Sequence, residues 1–193
     1  MPAVLFPGRI ITIDTLPDAE KAIQALSKET IVGIDTETRP SFRKGVQYNV
    51  SLLQISTGDT CFLFRLNYIG MPKELVDLLQ DDRHLKVGLS LRDDIQNLNR
   101  KHKFEPRGFL DLQHYVKEMG IEAQSLQKIY ALLFGKKISK SQRLTNWEAD
   151  VLTDRQKGYA ATDAWACIRI YQYLEELKAK GGLKVKEVTP KNK

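Results

Sequence analysis

Histidine and cysteine are scarce in this chain, and what there is of them is scattered. The 193 residues hold three histidines, His84, His102 and His114, and two cysteines, Cys61 and Cys167. None stands at a spacing that would put a pair of nitrogen or sulfur ligands on one ion, which excludes a zinc site of the usual kinds. The same poverty of cysteine excludes a disulfide-framed secreted domain, and two unpaired thiols fit a reducing compartment, so a cytoplasmic location is expected. Long apolar runs are missing too. No stretch approaches the roughly 20 residues that span a bilayer, and Val4-Leu5-Phe6 meets Pro7-Gly8 too early to form the core of a signal peptide. No membrane partner is therefore expected. A glycine-rich phosphate loop is absent as well, because Gly135-Lys136-Lys137 lacks both the upstream glycine and the preceding strand of a P-loop.

The chain is not short of charge, but its excess is unevenly placed. The net charge is +6, yet residues 178–193 carry six lysines against one glutamate, which leaves +1 for everything before them. That segment reads as a basic, disordered tail. Residues 1–177 read as one globular domain, since 42% hydrophobic and 28% charged residues are ordinary usage for a single buried core.

Alternation and helical periodicity give an ordered α/β sequence. Strands are predicted at 9–13, 30–38, 50–57, 60–66, 85–89 and 109–112, the third and fourth forming a hairpin turned by Gly58-Asp59. Helices are predicted at 17–27, 73–80, 92–102, 113–119, 125–134 and 154–178, the last opened by the capping-box pattern Thr153-Asp154-Arg155-Gln156. Such alternation implies a mixed sheet with helices on both faces.

Within this pattern four carboxylates occupy places where apolar side chains belong. Asp35 and Glu37 project from one side of the strand that begins Ile31-Val32-Gly33-Ile34. Asp94 lies with Leu91 and Leu98 at i, i+3 and i+7 on the inward stripe of its helix, whereas Asp93 shares a face with Asn97 and Arg100 and reads as solvated. Asp163 stands one turn before Cys167 on the stripe Cys167, Ile170, Leu174 and Leu177, with Tyr159 one turn earlier. Burial and like charge would raise the pKa values of such a group and cost stability unless a cation sits among them. An all-oxygen donor set suits Mg²⁺ or Mn²⁺. Metal-dependent chemistry is the reading the residues favour.

Asp35-x-Glu37, the downstream Asp94 and Tyr159-x-x-x-Asp163 resemble the three motifs of the DEDDy 3′–5′ exonucleases, a group within the ribonuclease H-like superfamily. Thr38-Arg-Pro-Ser-Phe-Arg-Lys-Gly45, Leu53-Gln-Ile55, Asn146-Trp147 with Leu152-Thr153, and Tyr159-Ala-Ala-Thr-Asp-Ala164 are similar to Werner-type exonuclease domains and their stand-alone plant relatives, over about residues 8–177. Gln96 departs from the pattern, standing where Werner-type domains carry a bulky aromatic. The resemblance implies a ribonuclease H-like fold with a sheet of five or six strands, one of them antiparallel. It further implies two divalent metal ions, Mg²⁺ or Mn²⁺, with Asp35 bridging both, Glu37 and Asp163 completing the first site, and Asp94 holding the second largely through water. Tyr159 would orient the attacking water, and nucleoside 5′-monophosphates would leave one at a time from the 3′ end.

Nucleic acid is the implied partner, single-stranded or 3′-terminal DNA first and RNA second. Arg39, Arg43 and Lys44 follow the Asp-x-Glu strand, and Lys136, Lys137, Lys140 and Arg143 form a second cluster. Both are candidates for phosphate contacts that position a strand without reading its sequence, although cationic loops are as often merely solvated. Phe42, Tyr48 and Trp147 are candidates to stack a terminal base, Trp147 reading equally well as core. Two alternatives accompany the exodeoxyribonuclease reading. One is an exoribonuclease of the ribonuclease D type, which usually carries further helical domains; the other is a binding module with a decayed site, against which the intact carboxylates stand.

Overall fold

The computed structural model describes residues 1–182. Its six strands are β1 (Arg9–Ile13), β2 (Ile31–Thr38), β3 (Val50–Ser56), β4 (Thr60–Arg65), β5 (Leu85–Gly88) and β6 (Phe109–Asp111). The helices are α1 (Leu16–Leu26), α2 (Leu66–Ile69), α3 (Lys73–Leu79), α4 (Leu91–Lys101), α5 (Leu112–Glu118), α6 (Leu126–Phe134) and α7 (Asp154–Ala179). The strands form one sheet in the order β1-β4-β3-β2-β5-β6. β3 runs antiparallel to both of its neighbours, while β1 with β4, β2 with β5 and β5 with β6 are parallel. This is the mixed α/β sheet with one antiparallel strand that the sequence implied, at the upper of the two expected strand counts.

Each face of the sheet carries its own core. Ile13, Ile34, Leu53, Ile55 and Phe64 meet α1, α3 and the apolar side of α4 on one face. Leu52, Leu63 and Val87 meet α5, α6 and α7 on the other. Alternation along the strands divides the residues between them, so β2 sends Ile34 to the first core and its odd-numbered neighbours towards α7. The capping box at α7 forms as read, with Thr153 Oγ1 accepting from the Gln156 N–H at 3.1 Å and Gln156 Oε1 accepting from the Thr153 N–H at 3.0 Å.

Element bounds agree with the sequence reading to within one or two residues, with two differences of substance. β4 ends at Arg65 and the chain turns at once into the four-residue α2, which has no side-chain cap and is too short to leave a periodic signal. The last helix continues to Ala179, where Lys178 pairs with Glu175 at 3.1 Å, so the expected boundary at 177 falls inside a helix. The rest of the expected tail, from residue 183, lies outside the described residues.

Candidate active site

The site is assembled where α7 crosses β2, and a glycine permits the crossing. Gly33, Asp35 and Glu37 share one side of β2. A Cβ at Gly33 would collide with the Ala164 carbonyl oxygen, so helix and strand touch backbone to backbone there. Ala160, Ala161 and Ala164 are wholly buried and keep the rest of the helix equally close. One residue before Ala164 on the same helix, Asp163 is brought beside the strand pair. One oxygen from each of Asp35, Glu37 and Asp163 lies within 4.8 Å of the others, with Glu37 and Asp163 buried and Asp35 half-buried.

Among the described residues nothing neutralises this trio fully. Gln54, the cross-strand partner of Asp35 on β3, points its Nε2 at Glu37 Oε1 and at the Ala160 carbonyl, both at 3.4 Å. Asp163 Oδ1 is buried with no hydrogen-bond partner among the described residues. Burial pushes the Asp35 and Glu37 carboxyls well above the usual carboxylate range, and repulsion from the neighbouring carboxylates adds to it. Burial also lifts Asp163 to about 7, against the pull of the Tyr159 hydroxyl and of Lys140. A largely buried, all-oxygen group with one carboxylate oxygen left unpartnered fits a divalent cation.

Asp94 stands apart from that trio. It rises from α4, on the opposite face of the sheet from α7, and accepts a hydrogen bond from the Thr36 hydroxyl, which projects from β2 between Asp35 and Glu37 but to the other side. Its charge is felt by both Asp35 and Glu37, and burial raises its own carboxyl to about 6. Asp93 is exposed, as its position on the helix implied. Tyr159 is buried one turn before Asp163. Burial first, then the Asp163, Glu37 and Asp35 carboxylates, push its phenol further up, so the hydroxyl keeps its proton at neutral pH.

The family model described as 3′–5′ exonuclease matches residues 10–178, which takes in all four carboxylates and Tyr159. The chain belongs to the 3′–5′ exonuclease family. This exonuclease domain is 31% identical over 192 residues to a 3′–5′ exonuclease of Arabidopsis thaliana, a match that covers 91% of this chain and 67% of that protein. It is also 31% identical over 187 residues to the bifunctional 3′–5′ exonuclease/ATP-dependent helicase WRN of Mus musculus, covering 92% of this chain but only 13% of that much longer protein. Among solved structures the Nibbler EXO domain of Aedes aegypti superposes with a TM-score of 0.86 at 21% identity, over 96% of this chain and 97% of that one, which is a likeness of fold.

The exonuclease domain places its expected cations unequally. Lys140 and Arg143 line a cavity of about 200 Å³ together with Asp35, Asp163, Leu89, Ser125 and Gln127. Arg143 also draws down the Glu37 carboxyl. Lys136 and Lys137 are exposed beyond it, and the Lys137 backbone pairs with the N-terminal segment at Pro2 and Val4. Arg39 is engaged already, paired with Glu148 at 3.4 Å and lying 4.7 Å over the Tyr48 ring. Arg43 and Lys44 are exposed, beside a Phe42 that is 85% exposed. Trp147 corrects the reading of it as a base-stacking surface. It is 0% exposed, packs at 6.0 Å from the Tyr159 ring, and donates its indole N–H to the Arg143 carbonyl at 3.4 Å. Its role is to hold the cationic loop against α7. Gln54 and Thr36 were not singled out for roles in the sequence, although a glutamine inside Leu53-Gln-Ile55 is a polar residue in an apolar strand and was open to the same argument as Asp35.

Proposed function

We propose that this domain removes nucleoside 5′-monophosphates one at a time from the 3′ end of DNA, using two divalent ions, Mg²⁺ or Mn²⁺. The observation that carries the reading is the trio Asp35, Glu37 and Asp163, two of them buried, with ligand oxygens within 4.8 Å and one oxygen of Asp163 unpartnered. When bound, two such ions lower the pKa of a water and compensate charge on the attacking and leaving oxygens. Asp35, Glu37 and Asp163 would hold one ion, Asp35 and Asp94 the other. Gln54 keeps Glu37 turned into the site. Tyr159, protonated at neutral pH, acts as a hydrogen-bond donor that orients the water rather than as a general base. Lys140 and Arg143, on the rim of the same cavity, contact the phosphates of the terminal nucleotides, and Arg43 and Lys44 those further along the strand. DNA is preferred to RNA on the likeness of Arg39–Gly45 to Werner-type domains, supported by the 31% identity to the mouse helicase-exonuclease.

Digestion of 3′- and 5′-labelled oligonucleotides in DNA and RNA forms, with Mg²⁺, Mn²⁺ or EDTA, tests the reading. The expected result is a metal-dependent ladder from the 3′ end, faster on DNA and abolished by Asp35→Ala. A faster RNA ladder would replace DNA by RNA as the substrate. Binding of oligonucleotide with no degradation under any condition would leave only a binding module.

A further inference from the structure

The helix that presents Asp94 begins in a way that its own residues do not explain. Ser90, which precedes it, has φ 56° and ψ 47° and is the only non-glycine residue at positive φ among the described residues. A serine in the N-cap place ordinarily caps with its hydroxyl, but this one makes no cap bond. The free N–H groups at the helix start are taken instead by a carboxylate from another strand. Asp111, the cross-strand partner of Gly88, accepts from the Ser90 N–H at 3.0 Å through Oδ1 and from the Leu91 N–H at 2.9 Å through Oδ2. Oδ1 also takes the Gln113 N–H at 2.9 Å, capping α5. Gly88 lets Leu91 sit directly on the strand end, where any Cβ would strike the leucine side chain.

We infer that Asp111 is a positioning residue for this exonuclease: it fixes the first turn of α4 and, with the Thr36 hydroxyl, sets where the Asp94 carboxylate stands. A left-handed serine is held only while its surroundings over-determine it. With the clamp in place the turn from β5 into α4 has one arrangement, and Asp94, three residues beyond Leu91, comes off the helix towards Thr36. Without it, the first turn frays and the Asp94 carboxylate loses its fixed place beside Thr36. Thr36 acts at the other end of the same carboxylate. The inference rests on the reading that Asp94 holds a metal ion.

Manganese binding to the folded full chain, followed by paramagnetic resonance or calorimetry beside the Mn²⁺ dependence of the rate, tests it. Asp111→Asn puts an amide donor against an N–H donor and breaks at least one of the three accepted bonds. It is expected to weaken one Mn²⁺ site and raise the Mn²⁺ concentration for half-maximal rate by about 10- to 100-fold, with oligonucleotide affinity unchanged. Thr36→Val should move the same readouts and Thr36→Ser should restore them. If Asp111→Asn alone does not fold, Ser90→Gly with Asp111→Asn removes the backbone strain while leaving the clamp broken; Ser90→Gly alone should bind Mn²⁺ as wild type does. A lowered melting temperature with Mn²⁺ binding and dependence unchanged would overturn the inference and leave Asp111 a helix cap. Asp94→Asn is the control: if it too leaves Mn²⁺ binding unchanged, the metal role of Asp94 fails and the inference with it.

Discussion

At Asp163 the demands of stability and of chemistry oppose one another. Its Oδ1 is buried and unpartnered, and burial lifts the carboxyl to about 7, so the charged form is costly in the metal-free protein. Asp163→Asn removes the charge at constant shape and is expected to stabilise the metal-free protein by about 1–3 kcal/mol while abolishing digestion. The added stability on binding Mg²⁺ or Mn²⁺ should shrink in the same variant. Urea unfolding in EDTA and with metal measures both, and a destabilised metal-free variant would mean that the folded protein satisfies the Asp163 carboxylate without a metal. Trp147 works in the opposite sense. Its ring is core and its indole N–H ties down Arg143, so Trp147→Ala is expected to cost about 3–5 kcal/mol, whereas loss of a stacking surface would weaken DNA binding at unchanged stability.

The closest tolerance among the elements is between β2 and α7. Gly33 meets the Ala164 carbonyl, and overpacking by one methyl costs about 1–3 kcal/mol where side chains can adjust. Here the obstacle is backbone, so Gly33→Ala should fall at the upper end, separate Asp163 from Asp35 and Glu37, and abolish both metal binding and digestion. Ala164→Gly should not rescue it, because the carbonyl remains; rescue would place the collision at the side chain. Elements with a repeating signal were legible in the sequence: β2 by its apolar run, α4 by its three-four spacing, α7 by its capping box and stripe. The carboxylates were legible because each interrupts such a pattern. What went unread lies where no pattern repeats. The segment 140–150 has no period, so the burial of Trp147 and the anchoring of its neighbours by Arg65, which donates to the Asp150 carbonyl at 2.8 Å, depended on tertiary placement. Lys86 is similar: a lysine in a strand reads as an edge or an exposed face, yet it is fully buried and caps α3 through the Leu78 and Asp81 carbonyls at 3.0 and 2.8 Å. Asp111 caps α5 beside it, and nothing local in the sequence reveals that it also accepts from the first N–H groups of α4.

For the molecule as a whole, four acidic side chains on three elements make stability depend on pH in a direction unusual for a folded protein. Asp94 is raised to about 6 and Asp163 to about 7, and Asp35 and Glu37 are raised as well, against about 4 in an unfolded chain. Between these limits the folded metal-free protein holds protons that the unfolded chain has released. Stability contributed by this group is therefore full below about pH 4 and is lost as pH rises through 6 and 7. In EDTA the melting temperature should fall between pH 5.5 and 7.5, the range in which most proteins are near their maximum. Saturating Mn²⁺ should flatten or reverse the fall, because the ion binds the deprotonated carboxylates and is linked to their ionisation. The double variant Asp94→Asn with Asp163→Asn should make the EDTA profile shallower without metal, Asp35 and Glu37 keeping the remaining dependence. If the wild-type and doubly substituted profiles in EDTA run parallel, Asp94 and Asp163 do not govern the pH response. The proton uptake would then have to come from other groups, and the claim that the fold holds these two carboxylates at its own expense would fail.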